Sequence, residues 1–249
     1  MNDFTDKYTA IRFENVGKLY GEHIALKNIN FVVEKGEFIT VIGSSGCGKT
    51  TMLKLINGLL SPDEGTVYVN NEDISKIDQI ELRRKIGYVI QGVGLFSHLN
   101  VKKNIEFIPN ILKYDKVKSN QISRKLIGIV GLEEDMLKRY PNELSGGQRQ
   151  RVGVARALAA SPEILLMDEP FGALDEITRT MLQDELLKIH KELGITIFFI
   201  THDIREATKL GTKTMVVDKG EILSFGAPQE IAKNYNCETF TMPTFLPKE

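Results

Sequence analysis

Hydrophobic and polar residues alternate with a period of two in the first part of the chain. Residues 11–16 and 29–33 show this alternation, and residues 66–69 return to it after the turn-forming segment 61–65. A period of two is that of strands with one buried and one exposed face. We therefore predict an antiparallel β subdomain near the N-terminus, with a turn at residues 35–37.

Longer apolar runs without alternation come next and are rich in β-branched residues. They lie at residues 38–42, 164–167, 195–200 and 214–217. Such runs are typical of strands that are buried on both faces of a parallel sheet. Helical patterns separate them at about residues 49–60, 176–192 and 203–210. Strands and helices that alternate at these lengths predict an α/β fold with a parallel sheet.

The stretch from about residue 94 to residue 160 is mostly helical in pattern and is interrupted at Pro109 and Pro141. It predicts a helical subdomain inserted into the α/β core. No internal repeat or low-complexity linker divides the 249 residues. We therefore expect a single domain over residues 1–249.

Composition narrows the classes of function. The net charge is −1 and basic residues form no block, so we expect no nucleic-acid partner. No signal peptide is recognised, and no apolar run approaches the roughly 20 residues that cross a bilayer. The two cysteines, Cys47 and Cys237, lack the spacing of a metal site or a disulfide framework, which fits a reducing cytoplasm.

A glycine-rich segment lies between the first apolar run and the helix predicted after it. Gly43-x-x-x-x-Gly48-Lys49-Thr50 matches the P-loop pattern, in which backbone N–H groups close around phosphate oxygens at a helix start. Lys49 is expected to reach the β- and γ-phosphates and Thr50 to hold Mg²⁺. A plain glycine turn is the alternative, and the flanking strand and helix count against it. The predicted nucleotide-binding residues are Gly43, Ser44, Ser45, Gly46, Cys47, Gly48, Lys49, Thr50 and Thr51.

Two carboxylates follow the apolar run at residues 164–167. Asp168 ends this run, where a carboxylate belongs if it is to join the Mg²⁺ shell, and Glu169 comes next. Glu169 is our candidate for the general base that polarises the attacking water. Standing alone, the pair would fit a solvated strand end, but a P-loop in the same chain favours the catalytic interpretation.

A second glycine motif, Leu144-Ser145-Gly146-Gly147-Gln148, lies between these two segments and resembles the signature of ABC ATPases. Two glycines after a serine leave backbone N–H groups accessible to a second phosphate contact. Ser145 is also a good N-cap, so a capped helix start is the alternative. The resemblance covers nearly the whole chain and implies a P-loop NTPase fold. That fold has a RecA-like parallel sheet core, an N-terminal antiparallel β subdomain and an inserted helical subdomain.

The resemblance assigns further residues. It implies that Tyr20 stacks on adenine and that Gln91 contacts Mg²⁺ or the attacking water. It also implies that Asp175 reaches towards a partner subunit and that His202 senses the γ-phosphate. Tyr20 would otherwise be a core residue, and His202 an incidental histidine at a strand end.

Membership of this family would also imply how the protein assembles. Two chains would form a head-to-tail homodimer in which Ser145, Gly146, Gly147 and Gln148 of one chain cover the ATP held by the P-loop of the other. The dimer would dock on transmembrane permease subunits at the cytoplasmic face of the membrane, as a peripheral protein. A substrate-binding protein would act with it indirectly.

Residues 82–91, 94–98 and 174–179 together resemble ATPases of bacterial importers for glycine betaine, carnitine or choline. Other importers, of amino acids or polyamines, and soluble ABC ATPases without a permease are the alternatives. We expect no C-terminal regulatory domain. Phe96, Leu99 and Ile105 are candidate permease contacts or, equally, residues of the helical subdomain's own core.

Overall fold

The computed structural model describes residues 8–92 and 94–234. Its strands are β1 Thr9–Tyr20, β2 His23–Glu34, β3 Phe38–Gly43, β4 Glu64–Val69, β5 Glu72–Asp73, β6 Ile86–Val89, β7 Ile164–Asp168, β8 Thr196–Ile200, β9 Lys213–Asp218 and β10 Glu221–Gly226. Val93 and the tail that contains Cys237 lie outside the described residues.

The helices alternate with these strands or follow one another in the middle of the chain. They are α1 Lys49–Ile56, α2 Gln79–Lys85, α3 Val101–Ile105, α4 Phe107–Ile111, α5 Lys116–Ile129, α6 Gly146–Leu158, α7 Glu176–Leu193, α8 Ile204–Leu210 and α9 Pro228–Asn234. Two 3₁₀-helices lie at Glu134–Lys138 and Pro141–Glu143. None of the helices in residues 8–92 and 94–234 has both the length and the apolar character needed to cross a bilayer.

The chain divides into two compact units, which we describe separately. Unit 1 consists of Met1–Ser75 and Phe198–Glu249, and unit 2 of Lys76–Ile197. The backbone passes from unit 1 into unit 2 after Ser75 and returns within β8. The expected single domain, with a helical subdomain at about residues 94–160, stays a prediction.

Unit 1 contains the antiparallel sheet in the order β2-β1-β4-β5. Phe13 and Phe31 are register partners in β1 and β2, and their rings stack with centroids 4.5 Å apart. Burial alternates at residues 11–14 and 29–34, as the period of two predicts, whereas residues 9–11 and 25–26 are buried consecutively.

The other strands of unit 1 belong to a mainly parallel sheet. β3 pairs in parallel with β9, and β9 pairs antiparallel with β10. Every residue of β3 is buried, which explains its uninterrupted apolar run. Its one hydroxyl, on Thr40, lies 2.8 Å from that of Thr214 in β9, so this buried polar group is satisfied.

Unit 2 carries the parallel pair β6 and β7 together with helices α2 to α7. All five residues of β7 are buried, and Asp168 is its last residue. β7 therefore places the Asp168 carboxylate at the end of a buried strand.

Two details of the helices differ from the sequence prediction. Helix α1 ends at Ile56, not near Leu60, because Gly58 adopts a φ of 65° and stops it. Pro109 does not break a helix. It is the third residue of α4, where a backbone N–H has no partner within the helix, so its absence costs little.

Candidate functional site

The P-loop of unit 1 connects β3 to α1. Gly48 precedes the helix with a φ of 107°, and no side chain caps the helix start. Ser44, Ser45 and Gly46 are exposed, Thr50 is half-buried and Thr51 is buried in α1. An N-terminus that lacks a capping side chain suits a ligand with negative oxygen atoms, because the helix dipole and the first N–H groups favour anions.

Lys49 folds back over the loop that precedes it. Its Nζ donates to the carbonyl oxygens of Gly43 and Ser44, at 2.8 Å each, and lies 3.6 Å from Cys47 Sγ. Only 8% of Lys49 is exposed. The Lys49 ammonium is therefore held against the loop backbone.

Two P-loop glycines are required by packing. A Cβ on Gly43 would lie 2.2 Å from the carbonyl oxygen of Val217, and one on Gly48 would lie 2.6 Å from that of Ala25. Neither backbone oxygen can move aside easily. The Cys47 side chain fills the same space and is 3% exposed, so in this structure the thiol is buried.

The turn between β9 and β10 supports the P-loop. Ser44 Oγ donates to Asp218 Oδ1 at 3.1 Å, and the Gly220 N–H donates to the Cys47 carbonyl at 3.1 Å. The Gly220 carbonyl in turn accepts from Lys27 N–H at 2.9 Å. Sequence reasoning missed Asp218 and Gly220, because they lie about 170 residues along the chain from the motif and belong to none of their own.

Tyr20 and His202 are both at the surface of unit 1. Tyr20 is the last residue of β1 and is 46% exposed, so its ring is available for stacking and is not a core residue. His202 is exposed in the short loop between β8 and α8.

Unit 2 brings Gln91 and Glu169 together. Gln91 Nε2 donates to Glu169 Oε2 at 3.2 Å, although the two residues are 78 positions apart. Gln91 lies in the loop after β6, and Glu169 directly follows β7. Asp168, which directly precedes Glu169 in the sequence, is 2% exposed.

The backbone of Glu169 is strained. Its φ is 46°, a conformation that costs a non-glycine residue about 1–2 kcal/mol. Two donors hold the Glu169 carbonyl oxygen, the Gly172 N–H and Gln150 Nε2, each at 3.3 Å. Strain of this kind gathers at functional sites, where surrounding contacts fix an unfavourable geometry. Gln150 is a third residue, after Asp218 and Gly220, that sequence reasoning did not assign to the site.

Tyr88 is half-buried in β6 and lies within electrostatic range of Asp168. Burial, and to a lesser degree the negative charge of Asp168, raises the pKa of Tyr88 to about 12. The phenol therefore stays neutral at physiological pH and adds no second negative charge to the Asp168 region.

The signature segment begins helix α6 with its own cap. Ser145 Oγ accepts from the Gln148 N–H at 3.2 Å, and Gln148 Oε1 accepts from the Ser145 N–H at 2.9 Å. This is a complete capping box. Gly146 and Gly147 are the first residues of the helix and are half-buried. The capped helix start expected as an alternative is thus present, and contact with nucleotide stays a prediction.

Polar side chains tie the signature helix and the start of α7 to nearby loops of unit 2. Arg156 Nη1 donates to the Gly94 carbonyl at 2.8 Å, close after Gln91 in the chain. Asp175 Oδ1 accepts from the Thr178 N–H at 2.9 Å and caps α7. The hydrogen bonds from Thr178, assisted by the charge of Arg151, lower the pKa of Asp175, so this exposed side chain is ionised at neutral pH.

A known family model matches a segment that includes residues of both units. The model described as "ABC transporter" matches residues 26–172, more than half of the chain. The chain belongs to the ABC transporter family. The matched segment contains the P-loop, Gln91, the signature and both carboxylates, whereas Tyr20, Asp175 and His202 lie outside it.

Two curated members of the ABC transporter family are similar over most of this chain. The carnitine transport ATP-binding protein OpuCA of Listeria monocytogenes is 49% identical over 225 residues, which are 90% of this chain and 57% of that protein. The glycine betaine/carnitine/choline transport ATP-binding protein OpuCA of Bacillus subtilis is also 49% identical over 225 residues, 90% of this chain and 59% of its own. The chain thus spans less than three fifths of the length of these relatives.

A solved ABC cassette shares the fold. It is the dimeric, post-hydrolysis ATP-binding cassette MJ0796 bound to ADP and Pi. The TM-score is 0.82 at 38% identity, and the match covers 88% of this chain and 98% of that one. The expected fold class is therefore confirmed.

Proposed function

We propose that this chain binds and hydrolyses ATP to power uptake of a small solute, a quaternary amine osmoprotectant such as glycine betaine, carnitine or choline. The observation that carries the ATPase proposal is the P-loop, where Lys49 Nζ lies over the loop and α1 begins without a capping side chain. The similarity to two importer subunits, whose names state these solutes, supports the cargo.

The residues fit ATP and Mg²⁺ in their chemistry. Backbone N–H groups of Gly46, Gly48 and Lys49 would bind phosphate oxygens, with the Lys49 ammonium neutralising them. The Thr50 hydroxyl and the Asp168 carboxylate would hold Mg²⁺, with Gln91 near its shell. Within residues 8–92 and 94–234, no group of three or more His, Cys, Asp or Glu could hold a metal. Mg²⁺ usually takes one or two protein oxygens besides phosphate and water, and Thr50 and Asp168 would provide two.

The hydrolytic roles belong to Glu169, Gln91 and His202. Glu169 would accept a proton from water, and its bond to Gln91 Nε2 keeps the carboxylate oriented. His202 would donate to the γ-phosphate. Mg²⁺, when bound, would neutralise charge on the β- and γ-phosphates.

ATP would be shared between two copies of the chain in a head-to-tail homodimer. Ser145, Gly146, Gly147 and Gln148 of one copy would contact the γ-phosphate held by the other, and Asp175 would reach across. The dimeric neighbour supports association of two cassettes. Closure would depend on ATP, because hydrolysis removes contacts that both copies make to the nucleotide.

The protein would act at the cytoplasmic face of a membrane, bound to permease subunits and indirectly to a substrate-binding protein. A concavity of about 270 Å³ in unit 2 is the proposed permease contact, lined among others by Arg83, Tyr88, Phe96, Phe107 and Arg156. Phe96 packs on Phe107 with ring centroids 4.5 Å apart and remains half-buried. Ile105 is fully buried and belongs to the core of the helical segment.

The test of ATP hydrolysis uses the purified chain and a matched pair of lysine variants in α1. Lys49→Ala is expected to abolish Mg²⁺-dependent ATP hydrolysis, whereas Lys54→Ala, in the same helix, should retain it. Equal activity of both variants would contradict the proposal. Uptake of labelled glycine betaine, carnitine and choline by cells that lack this chain tests the cargo.

The alternatives are an importer of another solute and a soluble ABC ATPase. The relatives support the importer, and copurification of a polytopic membrane protein with the tagged chain separates the two classes. Repeated failure to recover a membrane protein with the tagged chain would favour the soluble class.

A further inference from the structure

The loop that carries His202 is held by a buried hydrogen-bond network in unit 1. Thr201 Oγ1 donates to Glu206 Oε2 at 2.6 Å and accepts from the Asp203 N–H at 3.0 Å. Thr201 and Glu206 are 2% and 7% exposed. The network therefore fixes the backbone on both sides of an exposed histidine.

The same network reaches the strand that leads into the P-loop. The Thr201 N–H donates to the Val41 carbonyl at 3.1 Å, and Val41 lies in β3, two residues before Gly43. At the other end, Asp203 Oδ1 accepts from the Arg205 N–H at 2.7 Å and caps α8. The residue before His202 is thus bonded to the P-loop strand, and the residue after it caps the start of α8.

Glu206 occupies a buried helix position where an apolar side chain would cost less free energy. Its neighbours Ala207 and Ile204 are buried in the same helix. A buried carboxylate is costly unless hydrogen bonds satisfy it, and here it accepts the one hydroxyl that adjoins His202. This arrangement indicates that the Glu206 carboxylate helps to fix the position of the loop that carries His202.

We infer that Thr201 and Glu206 are positioning residues for His202, setting its distance from the phosphates bound by the P-loop. The inference rests on the proposed role of His202 in ATP hydrolysis. We assign neither residue a contact with nucleotide. They act by restricting the exposed histidine to one backbone position, because a misplacement of about 1 Å can cost on the order of a hundredfold in rate.

The first test compares Thr201→Val with Thr201→Ser. Valine keeps the size of threonine and removes the hydroxyl, so kcat for ATP should fall by about tenfold or more while the Kd for ATP is unchanged. Serine keeps the hydroxyl and should restore kcat to within about twofold of the parent. Thr214→Val is the matched control. It removes another 2%-exposed hydroxyl with a 2.8 Å partner in the same unit and should leave kcat unchanged.

A double-variant experiment separates positioning from loss of stability. If Thr201 acts through His202, Thr201→Val should lower kcat no further in a chain that already carries His202→Ala. Amide exchange at Asp203 should also become faster in Thr201→Val, since this N–H loses its acceptor. If Thr201→Val does not fold, Glu206→Leu and Glu206→Gln replace it. Leucine should lower kcat, and glutamine, which still offers an oxygen, should restore most of it.

Each outcome decides a different claim. Thr201→Val with the same kcat as Thr214→Val, or a further loss on top of His202→Ala, would overturn the positioning role. His202→Ala with parental ATPase activity would instead overturn the proposed role of His202, and the inference with it.

Discussion

Helices α1 and α6 both begin at glycine-rich segments, yet the two starts are built differently. At α1 no side chain caps the helix, and Gly48 is left-handed with a φ of 107°. At α6 the Ser145 and Gln148 side chains and N–H groups satisfy each other in a capping box. At α1 the Lys49 ammonium donates to the carbonyl oxygens of the loop, whereas at α6 Arg149 Nη1 donates to the carbonyl of Leu144, directly before the cap.

This difference bears on the order of events in the proposed cycle. No side chain caps the first turn of α1, so its N–H groups can bind a ligand. A single chain should therefore bind ATP by its P-loop. The α6 start is stable by itself, because its own residues provide the hydrogen bonds that a phosphate would otherwise provide. We therefore expect the signature to engage only after ATP is bound and a second copy arrives.

The largest effect is expected at α1. Lys49→Ala removes the ammonium that lies over the P-loop, and charge-assisted hydrogen bonds contribute about 1.5–3 kcal/mol each. The affinity of the single chain for ATP should fall by about 10- to 100-fold in a calorimetric titration. Unchanged affinity would remove the distinction drawn between the two helix starts.

A smaller effect is expected from Gly146→Ala at α6. Among the described residues, the nearest atom to the new Cβ outside the adjoining backbone is Arg149 Nη2, at 3.9 Å, so folding and binding of ATP to the single chain should be preserved. In the ATP-bound dimer the methyl group would crowd the phosphate, so turnover should fall by about tenfold or more. Parental turnover would show that the first turn of α6 does not approach nucleotide.

Ser145→Ala should have a moderate effect on stability. The variant loses the cap of α6, which typically costs about 1 kcal/mol in the free energy of unfolding. Thermal denaturation measures this loss, and the ATP affinity of the single chain should stay as in the parent. Urea denaturation measures the same free energy of unfolding independently. A Ser145→Ala protein with the parental value in urea would contradict the capping interpretation.

The smallest effect at neutral pH belongs to Tyr88. Its pKa of about 12 in the folded chain exceeds the ordinary value of 10, so the folded state retains a proton that the unfolded state loses. This contribution is complete below about pH 10 and is lost as the pH rises towards 12. Tyr88→Phe should therefore flatten the fall in stability across that window, and an unchanged profile would contradict the shifted pKa.

Local motifs made much of the site predictable from sequence. The P-loop, the pair Asp168 and Glu169, and the cap at Ser145 all depend on residues within a few positions of one another. The apolar runs likewise identified the buried strands β3 and β7, because strands that are buried on both faces are made mostly of apolar residues.

Other features could not be predicted, because they arise only when distant segments meet. Ser44 bonds to Asp218, 174 residues away, and Gln150 bonds to the Glu169 carbonyl across 19 residues. The strained backbone of Glu169 carries no sequence signal, since glutamate rarely adopts a positive φ. Helix α2 and strand β10 are short and largely polar or half-exposed, so their periodicity is weak.

The most direct test of the account measures the mass of the Glu169→Gln protein in solution. This variant keeps the P-loop and the signature and removes the proposed base, so bound ATP should persist. With saturating Mg²⁺ and ATP we predict a dimer, and without nucleotide a monomer. A Glu169→Gln protein that stays monomeric under saturating ATP, while the parent hydrolyses ATP normally, would contradict the claim that two copies share the nucleotide.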